Sequence, residues 1–229
     1  MLLLLLLVAA GAGRPPPPAS TQGASRLPPT KGYAPPSVFA VGSPELVAAL
    51  GPLRPKLGSW AEYLVRSSGE EEVRVRLSLL PPALEGGRAW LEVSTLGAQA
   101  LPFAARLLLH GAGGLERAIV YALGQAPIEV PVSELQPAAA KPKRDPAGVR
   151  TTSVGSAKVT VPAGTFQAEE LHVLSGGETT RVWRAAQVPL WGLVRAEGPR
   201  QIVELTGLGE RGARSVFPVD QGNGSESAR

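Results

Sequence analysis

The feature that most constrains the fold of this chain is the alternation of apolar and polar residues with a period of two. Around residue 75, one side of the predicted element carries Val73, Val75, Leu77 and Leu79, and the other carries Arg74, Arg76 and Ser78. This pattern predicts a strand with one apolar and one polar face. Such a strand belongs in an antiparallel sheet with one covered face.

The neighbouring segments repeat this pattern. Residues 60–67 place Ala61, Tyr63 and Val65 on one side, and residues 88–96 do the same with Ala89, Leu91 and Val93. Recurring glycine and proline turn signals predict further strands near 106–110, 116–123, 156–161, 167–174, 179–185, 193–197 and 201–208. Gly176-Gly177 predicts a hairpin between two of these strands.

The predicted fold class is therefore mainly β: a curved antiparallel sheet or half-open barrel, with one or two short helices. Ser43-Pro44-Glu45 before an apolar run and Gly51 predicts one of these helices, because serine caps a helix, proline suits its first turn and glycine ends it. The sequence shows no repeat of fixed period, which disfavours propellers and solenoids.

The amino-terminal end carries an apolar run, Leu2–Ala10, followed by small residues. It is shorter than the roughly 20 residues of a membrane-spanning helix and is typical of a secretory signal. We therefore expect a periplasmic or secreted protein with no transmembrane segment in its mature form. The predicted organisation is a signal peptide at 1–13, a proline-rich disordered leader at 14–37, a single β domain at 38–218 and a disordered tail at 219–229.

Composition excludes several classes of function. The chain has no cysteine, so it forms no disulfide, no thiolate metal site and no cysteine-linked lipid anchor. Its net charge of +4 comes from arginines interleaved with glutamates, which is typical of a solvated sheet face rather than a phosphate-binding surface. We expect no nucleic-acid partner.

No residue is predicted to act as a catalytic, cofactor-binding or metal-binding group. His110 and His172 lie in predicted strands, the two aspartates lie in a loop and a tail, and no nucleophile elbow, zinc motif or phosphate loop is present. We expect a protein that is not an enzyme and that needs no cofactor. The one enzymatic alternative is a glutamate-dependent hydrolase that uses Glu62 and Glu92, if these lie on adjacent strands of one sheet face. Solvated ion pairs are the competing interpretation.

Tryptophan is the remaining chemical signal. A chain with only 5% aromatic residues contains four of these large, mainly apolar side chains: Trp60, Trp90, Trp183 and Trp191. They either fill the core or line an apolar cavity on the concave side of the sheet, where an incompletely closed sheet accommodates ligands.

Three segments together carry a family resemblance: Val159–Ala168, which contains Gly164-Thr165-Phe166; Val182–Arg184; and Pro189–Arg195, which contains Trp191-Gly192. They resemble exported bacterial β-proteins of unknown function. The resemblance implies a fold similar to that of the LolA/LolB superfamily, an antiparallel half-barrel around an apolar cavity. It does not extend to lipoprotein transport, because no carrier signature is present.

Three residues of these segments have roles that follow from physical chemistry alone. Gly164 is expected to supply a positive φ at a tight turn, Phe166 to re-enter the sheet as an apolar plug, and Gly192 to permit a bulge or a close backbone approach.

The sequence thus predicts a non-catalytic exported envelope protein that binds an apolar or lipid-like molecule in a concave β-sheet. A structural or accessory subunit of an envelope or surface-appendage assembly, engaging a protein partner through its sheet edges, is the alternative. The hydrolase is the third.

Overall fold

Eleven strands form one sheet in the computed structural model of this chain. The structure describes residues 53–68, 72–84, 87–96, 103–110, 115–122, 127–132, 149–175 and 177–216. The strands are β1 (Trp60–Ser67), β2 (Val73–Leu84), β3 (Arg88–Leu96), β4 (Phe103–Leu109), β5 (Leu115–Ala122), β6 (Ile128–Val130), β7 (Arg150–Val161), β8 (Gly164–Ser175), β9 (Glu178–Arg184), β10 (Leu193–Glu197) and β11 (Gln201–Gly209).

Two antiparallel meanders build the sheet. Strands β1 to β6 follow one another in space, as do β7 to β11, and the two runs join where β1 pairs with β11. The spatial order is β6-β5-β4-β3-β2-β1-β11-β10-β9-β8-β7, so the sheet does not close and has β6 and β7 as its edges. Within each meander, neighbours in sequence are neighbours in space, so short hairpin connections suffice there; β6 and β7 follow one another in sequence but lie at opposite edges.

The inner face, defined as the face that carries Ala61, Tyr63 and Val65, holds the core. In the middle of the sheet Tyr63 lies opposite Val75 on one side and Leu205 on the other, and each of these side chains is at most 1% exposed. Burying a valine or leucine of this kind stabilises the fold by about 1.5–3 kcal/mol. The Tyr63 hydroxyl donates a hydrogen bond to the Leu193 carbonyl (3.3 Å), and burial raises its pKa.

The hairpin between β7 and β8 turns tightly. Val161 pairs with Gly164 across the two-residue turn Pro162-Ala163, and Gly164 has a φ of +134°, a region that favours glycine. The Ala163 N–H donates to the Leu205 carbonyl (3.2 Å), which joins the tip of the hairpin to β11. Phe166, two residues after Gly164 in β8, is buried in the core. The roles predicted for Gly164 and Phe166 are confirmed.

Gly192 lies where the connection from β9 re-enters the sheet. It has a φ of +79°, and a Cβ placed on it would come within 2.9 Å of the Ala185 carbonyl oxygen. The pairing of β10 with β9 shifts register between Leu193 and Arg195. The predicted close approach and bulge are therefore both present.

The predicted mainly-β class, with a single open antiparallel sheet, is confirmed, and nine of the strands lie where turn signals and alternation predict them. The exceptions are β6, which was missed, and the first half of β7, which begins at Arg150 instead of Ser156. The predicted signal peptide, proline-rich leader, helix after Ser43 and carboxy-terminal tail lie outside the described residues. Within the described ranges, no helix is long and apolar enough to cross a bilayer.

Candidate functional site

Trp60 lies on the outer face, which we define as the face opposite Tyr63. Its ring packs across β11, where Gly207 and Gly209 leave room: a Cβ on Gly209 would come within 2.7 Å of Trp60 Cε2. The Arg76 guanidinium lies 4.2 Å from the centre of the indole, a cation–π contact. The indole Nε1 donates to the carbonyl oxygen of Arg211 at 3.2 Å.

Beyond β11 the chain continues over the outer face as a strap, residues Glu210–Val216. Glu210 forms an ion pair with Lys56, and the Ala213 N–H donates to the Gly58 carbonyl (2.8 Å). Ala213 is 5% exposed. The strap therefore covers a part of the face that the alternation predicts to be solvated.

Glu92 is buried beneath the end of the strap and is 1% exposed. Its Oε2 accepts hydrogen bonds from Arg106 Nε (3.0 Å) and Ser215 Oγ (2.6 Å), and its Oε1 accepts one from the Val216 N–H (2.9 Å). A buried carboxylate needs such partners, because desolvating an unpaired charge is very costly. Glu92 thus fastens the strap to the sheet.

The expectation that Glu62 and Glu92 occupy adjacent strands is wrong. Strand β2 lies between β1 and β3, and the register places Glu62 opposite Arg76 but Glu92 opposite Ser78. Glu62 accepts a hydrogen bond from Arg76 Nη1 at 2.9 Å, so the two glutamates belong to separate ion pairs. The expectation failed because alternation gives the face of a residue but not the strand order.

An ion-pair ladder crosses the outer face from β8 to β1. It runs through Glu170, Arg181, Glu197, Arg195, Glu204, Arg66 and Glu72. At the β8 end, His172 Nε2 lies 2.9 Å from Glu170 Oε1, a hydrogen bond. Within it, Arg181 lies 3.1 Å from Glu170 and 3.5 Å from Glu197. The hydrogen bond from His172, supported by Arg181, holds the pKa of Glu170 below its ordinary value. The interleaved charges noted in the sequence thus form paired networks.

Glu169, the neighbour of Glu170, takes part in a different set of contacts. It pairs with Arg184 Nη2 (2.8 Å) and accepts a hydrogen bond from the Ser153 hydroxyl (3.0 Å). These two partners hold its pKa below the ordinary value. Adjacent residues of a strand point to opposite faces, so Glu169 and Glu170 do not form one acid–base pair.

The four tryptophans lie on different elements. Trp60 and Trp90 lie on the outer face of β1 and β3, where Trp90 pairs with Leu80 and Leu108. Trp183 on β9 is buried, pairs with Arg195 and stacks with Arg181 at 4.7 Å. Trp191, in the β9–β10 connection, is partly buried against the core. That any of them lines a ligand cavity stays a prediction.

The two edges of the sheet differ in how well they are protected from pairing with another chain. Strand β6 has three residues, lies between Pro127 and Pro131, and its Glu129 forms a two-pronged ion pair with Arg117 (2.8 and 2.7 Å). Short length, proline and charge are the usual devices that keep a sheet edge from pairing with another chain. This edge is protected.

Strand β7 has twelve residues and pairs only with β8 among the described strands. Residues Arg150–Ser156 are all exposed, and Val154, at a bulge between Ser153 and Gly155, is 55% exposed. This strand contains no proline and no acidic residue. A long edge of this kind presents backbone N–H and C=O groups in a row, which makes it the candidate interaction site of the chain.

Sequence reasoning missed the amino-terminal half of this edge. The run Thr151-Thr152-Ser153-Val154 has high β-propensity, and that was the available signal. It lacks the apolar–polar alternation that identified the other strands, since neither of its faces is buried.

Comparisons with known proteins show similarity of fold only. No protein-family model and no curated protein matches this chain. A chain of the Pseudomonas aeruginosa MucA/MucB complex is similar at 11% identity and a TM-score of 0.43, over 66% of this chain and 50% of that chain, so this chain spans half the length of that relative. A protein from Parabacteroides distasonis described as a lipoprotein is 13% identical with a TM-score of 0.34, over 70% of this chain and 98% of the other. An exported protein with a YmcC-like fold from Bacteroides fragilis is 12% identical with a TM-score of 0.32, over 69% and 97%.

Proposed function

We propose that this chain is a non-catalytic exported protein that works by binding another protein of the cell envelope. The observation that carries the proposal is the contrast between the two sheet edges: β6 is short and flanked by prolines, whereas β7 has twelve residues, an exposed amino-terminal half and, among the described strands, only β8 as its partner. An exposed edge of this length is a template for pairing with another chain, and strand addition to such an edge is a common way of binding an extended partner.

Export is supported by the sequence. The apolar run Leu2–Ala10 followed by small residues has the composition of a secretory signal. We therefore place the protein in the periplasm or outside the cell.

The non-catalytic character is supported by how the carboxylates are used. Glu92 is shielded from solvent by the strap, Glu62 is paired with Arg76, and Glu170 is held by His172 and Arg181. Groups committed to such contacts are poor proton donors and acceptors for a substrate. Hydrolysis of any substrate that is lost in both Glu62→Gln and Glu92→Gln, with the fold intact, would contradict this part of the proposal.

In-cell cross-linking tests the proposal. The photo-reactive residue p-benzoylphenylalanine replaces one exposed residue at a time: Thr152 on β7, Ile128 on β6 and Leu57 ahead of β1. In the producing organism, ultraviolet light is expected to join the protein to one defined envelope protein from at least one position. If no position gives a product above the unirradiated control, the proposal fails.

Binding of an apolar molecule is the second candidate, favoured by one observation: the inner face of the central strands is apolar. Among the described residues the central inner side chains are at most 2% exposed, including Leu79, Leu91 and Leu107, so a ligand there must displace part of the chain that covers them. Addition of fatty acids, phospholipids or lipopeptides to the purified protein is then expected to change its tryptophan fluorescence and raise its thermal midpoint. No change in either quantity removes this candidate.

A further inference from the structure

Resting on the proposed function, we infer that the partner docks as an extended, acidic segment that adds one strand to the free edge of β7 between Arg150 and Lys158. The proposed function requires only a protein partner; the docking segment and the acidic character of that partner follow from the backbone geometry of the β7–β8 hairpin and from the charges of β7.

The geometry of the hairpin identifies the backbone groups that are free to pair. In a two-residue hairpin the residues that flank the turn form a hydrogen-bonded pair, and hydrogen-bonded and non-hydrogen-bonded pairs alternate from there. The flanking pair is Val161 and Gly164, so Lys158, opposite Gln167, and Ser156, opposite Glu169, are in non-hydrogen-bonded pairs. Their backbone N–H and C=O groups therefore point away from β8, toward the open edge.

The exposed stretch ends before the hairpin tip. Near the turn, Val159 and Val161 are buried, and the Ala163 N–H is bonded to β11. From Arg150 to Ser156, in contrast, each residue is exposed, and Lys158 is exposed as well. A docking strand therefore has the length of the Arg150–Lys158 segment available to it.

The charged residues of β7 indicate the chemistry of the partner. Arg150 and Lys158 are the charged residues of β7, both are cationic, and they lie at the two ends of the exposed stretch. The nearest carboxylates on β8 are engaged elsewhere, Glu169 by Arg184 and Glu170 by Arg181. A strand with an acidic residue at each end matches this pattern, because opposite charges across neighbouring strands are favourable and like charges are not.

A second copy of this chain is the other obvious occupant, and the same charges oppose it. A second β7 strand brings only arginine and lysine to this edge, because β7 contains no acidic residue. It therefore adds cations beside cations and offers no carboxylate to Arg150 or Lys158. The edge is thus arranged against self-association and in favour of an acidic strand.

A peptide-binding experiment on the full chain tests the inference. The bulge at Val154 places Arg150 and Lys158 on opposite faces of the sheet. The probe is therefore a fluorescein-labelled peptide of alternating threonine and valine, one residue shorter than the Arg150–Lys158 segment, with glutamate at both ends, so that its two carboxylates also face opposite sides. The matched control peptide has lysine at both ends. We expect saturable binding of the acidic peptide with a Kd below about 1 mM, and binding at least tenfold weaker for the basic one. Equal binding of the two peptides, or no binding of the acidic one, overturns the inference.

Two variants at position 158 separate the contribution of the backbone hydrogen bond to peptide binding from that of the side-chain charge. Lys158→Ala removes the cation and keeps the N–H, whereas Lys158→Pro removes both; proline is tolerated at an edge when its missing N–H faces solvent. The loss of one hydrogen bond is expected to make the acidic peptide bind at least about threefold more weakly to Lys158→Pro than to Lys158→Ala. Equal affinities for the two folded variants contradict strand addition.

A charge swap keeps the test decisive even if the proline variant does not fold. In the double variant Arg150→Glu/Lys158→Glu the preference is expected to invert, so that the basic peptide binds more tightly. Unchanged preference excludes the charge argument. A partner found by in-cell cross-linking from Ile128 or Leu57 but not from Thr152 leaves the proposed function intact and overturns the inference, whereas absence of any partner removes the proposed function itself.

Discussion

Trp60 on β1 lies directly over Gly209 on β11, with the indole ring where a side chain at position 209 would project. The two residues are register partners, and a Cβ on Gly209 would lie 2.7 Å from Cε2 and 3.0 Å from Cζ2 of the ring. The contact joins the first strand of one meander to the last strand of the other. It also presents the indole N–H to the strap, where Arg211 accepts its hydrogen bond.

Gly209→Ala is therefore expected to destabilise the protein by about 1–3 kcal/mol, the usual cost of overpacking. Chemical denaturation followed by tryptophan fluorescence measures the loss. Gly198→Ala is the matched control, because the Cβ there meets its nearest neighbour, Thr180 Oγ1, at an ordinary 3.4 Å. A Gly209→Ala variant as stable as Gly198→Ala contradicts the packing described here.

Removal of Glu92 is expected to release the strap. Glu92→Ala leaves the Arg106 side chain buried without its carboxylate partner and takes the acceptor from Ser215 and Val216. Breaking a buried ion pair in this way costs about 3–5 kcal/mol. Amide hydrogen exchange should accelerate across residues 210–216 before it does so in the central strands.

The control for this prediction is Glu72→Ala. Glu72 is 58% exposed and pairs with Arg66 at the surface, so its loss should cost less than about 1 kcal/mol. Comparable losses of stability in the two variants would show that the burial of Glu92 contributes nothing.

The sequence predicts the class of fold because each half-buried strand shows an alternation of apolar and polar residues. This alternation identifies the inner side of β1, with Ala61, Tyr63 and Val65. The roles of Gly164 and Gly192 follow from the positive φ values that glycine adopts freely.

The sequence does not predict the strand order or the covering of the outer face by the strap. That β11 lies beside β1, and β2 between Glu62 and Glu92, depends on pairings distant in sequence. The burial of Glu92 depends on a strap whose own sequence is polar. One local signal did exist: Gly207 and Gly209, spaced by two within a strand, mark a place where a large side chain packs on the backbone.

A side chain at position 192 is expected to lower the free energy of unfolding for two separate reasons. Gly192→Ala places a Cβ 2.9 Å from the Ala185 carbonyl oxygen and requires a φ of +79°, which L-residues rarely adopt. We expect a loss of at least about 1–2 kcal/mol in the free energy of unfolding. Gly177→Ala, which has a φ of +86° but no neighbour within 4 Å of the added Cβ, isolates the conformational part. Equal losses would remove the steric part of the explanation.

The ion-pair ladder should make stability depend on pH through Glu170. Hydrogen bonds from His172 and Arg181 lower the pKa of Glu170 in the folded state below its ordinary value of 4.5. A carboxyl group of this kind contributes stability above its unfolded pKa and loses that contribution as the pH falls through the folded pKa. Glu170→Gln is thus expected to be less stable than the parent at pH 7, by less than about 1 kcal/mol, because the side chains of its partners His172 and Arg181 are 40% and 48% exposed.

Below pH 4 the difference between Glu170→Gln and the parent should shrink, because protonation removes the same charge from the parent. Urea denaturation at a series of pH values measures it, and 1 M salt should reduce it at pH 7 by screening the exposed arginine. Glu178→Gln serves as the control: Glu178 is an exposed glutamate at the start of β9, outside the ladder. A difference for Glu170→Gln that stays constant from pH 7 to pH 3 would mean that the carboxylate charge does not contribute, and that packing accounts for the whole effect.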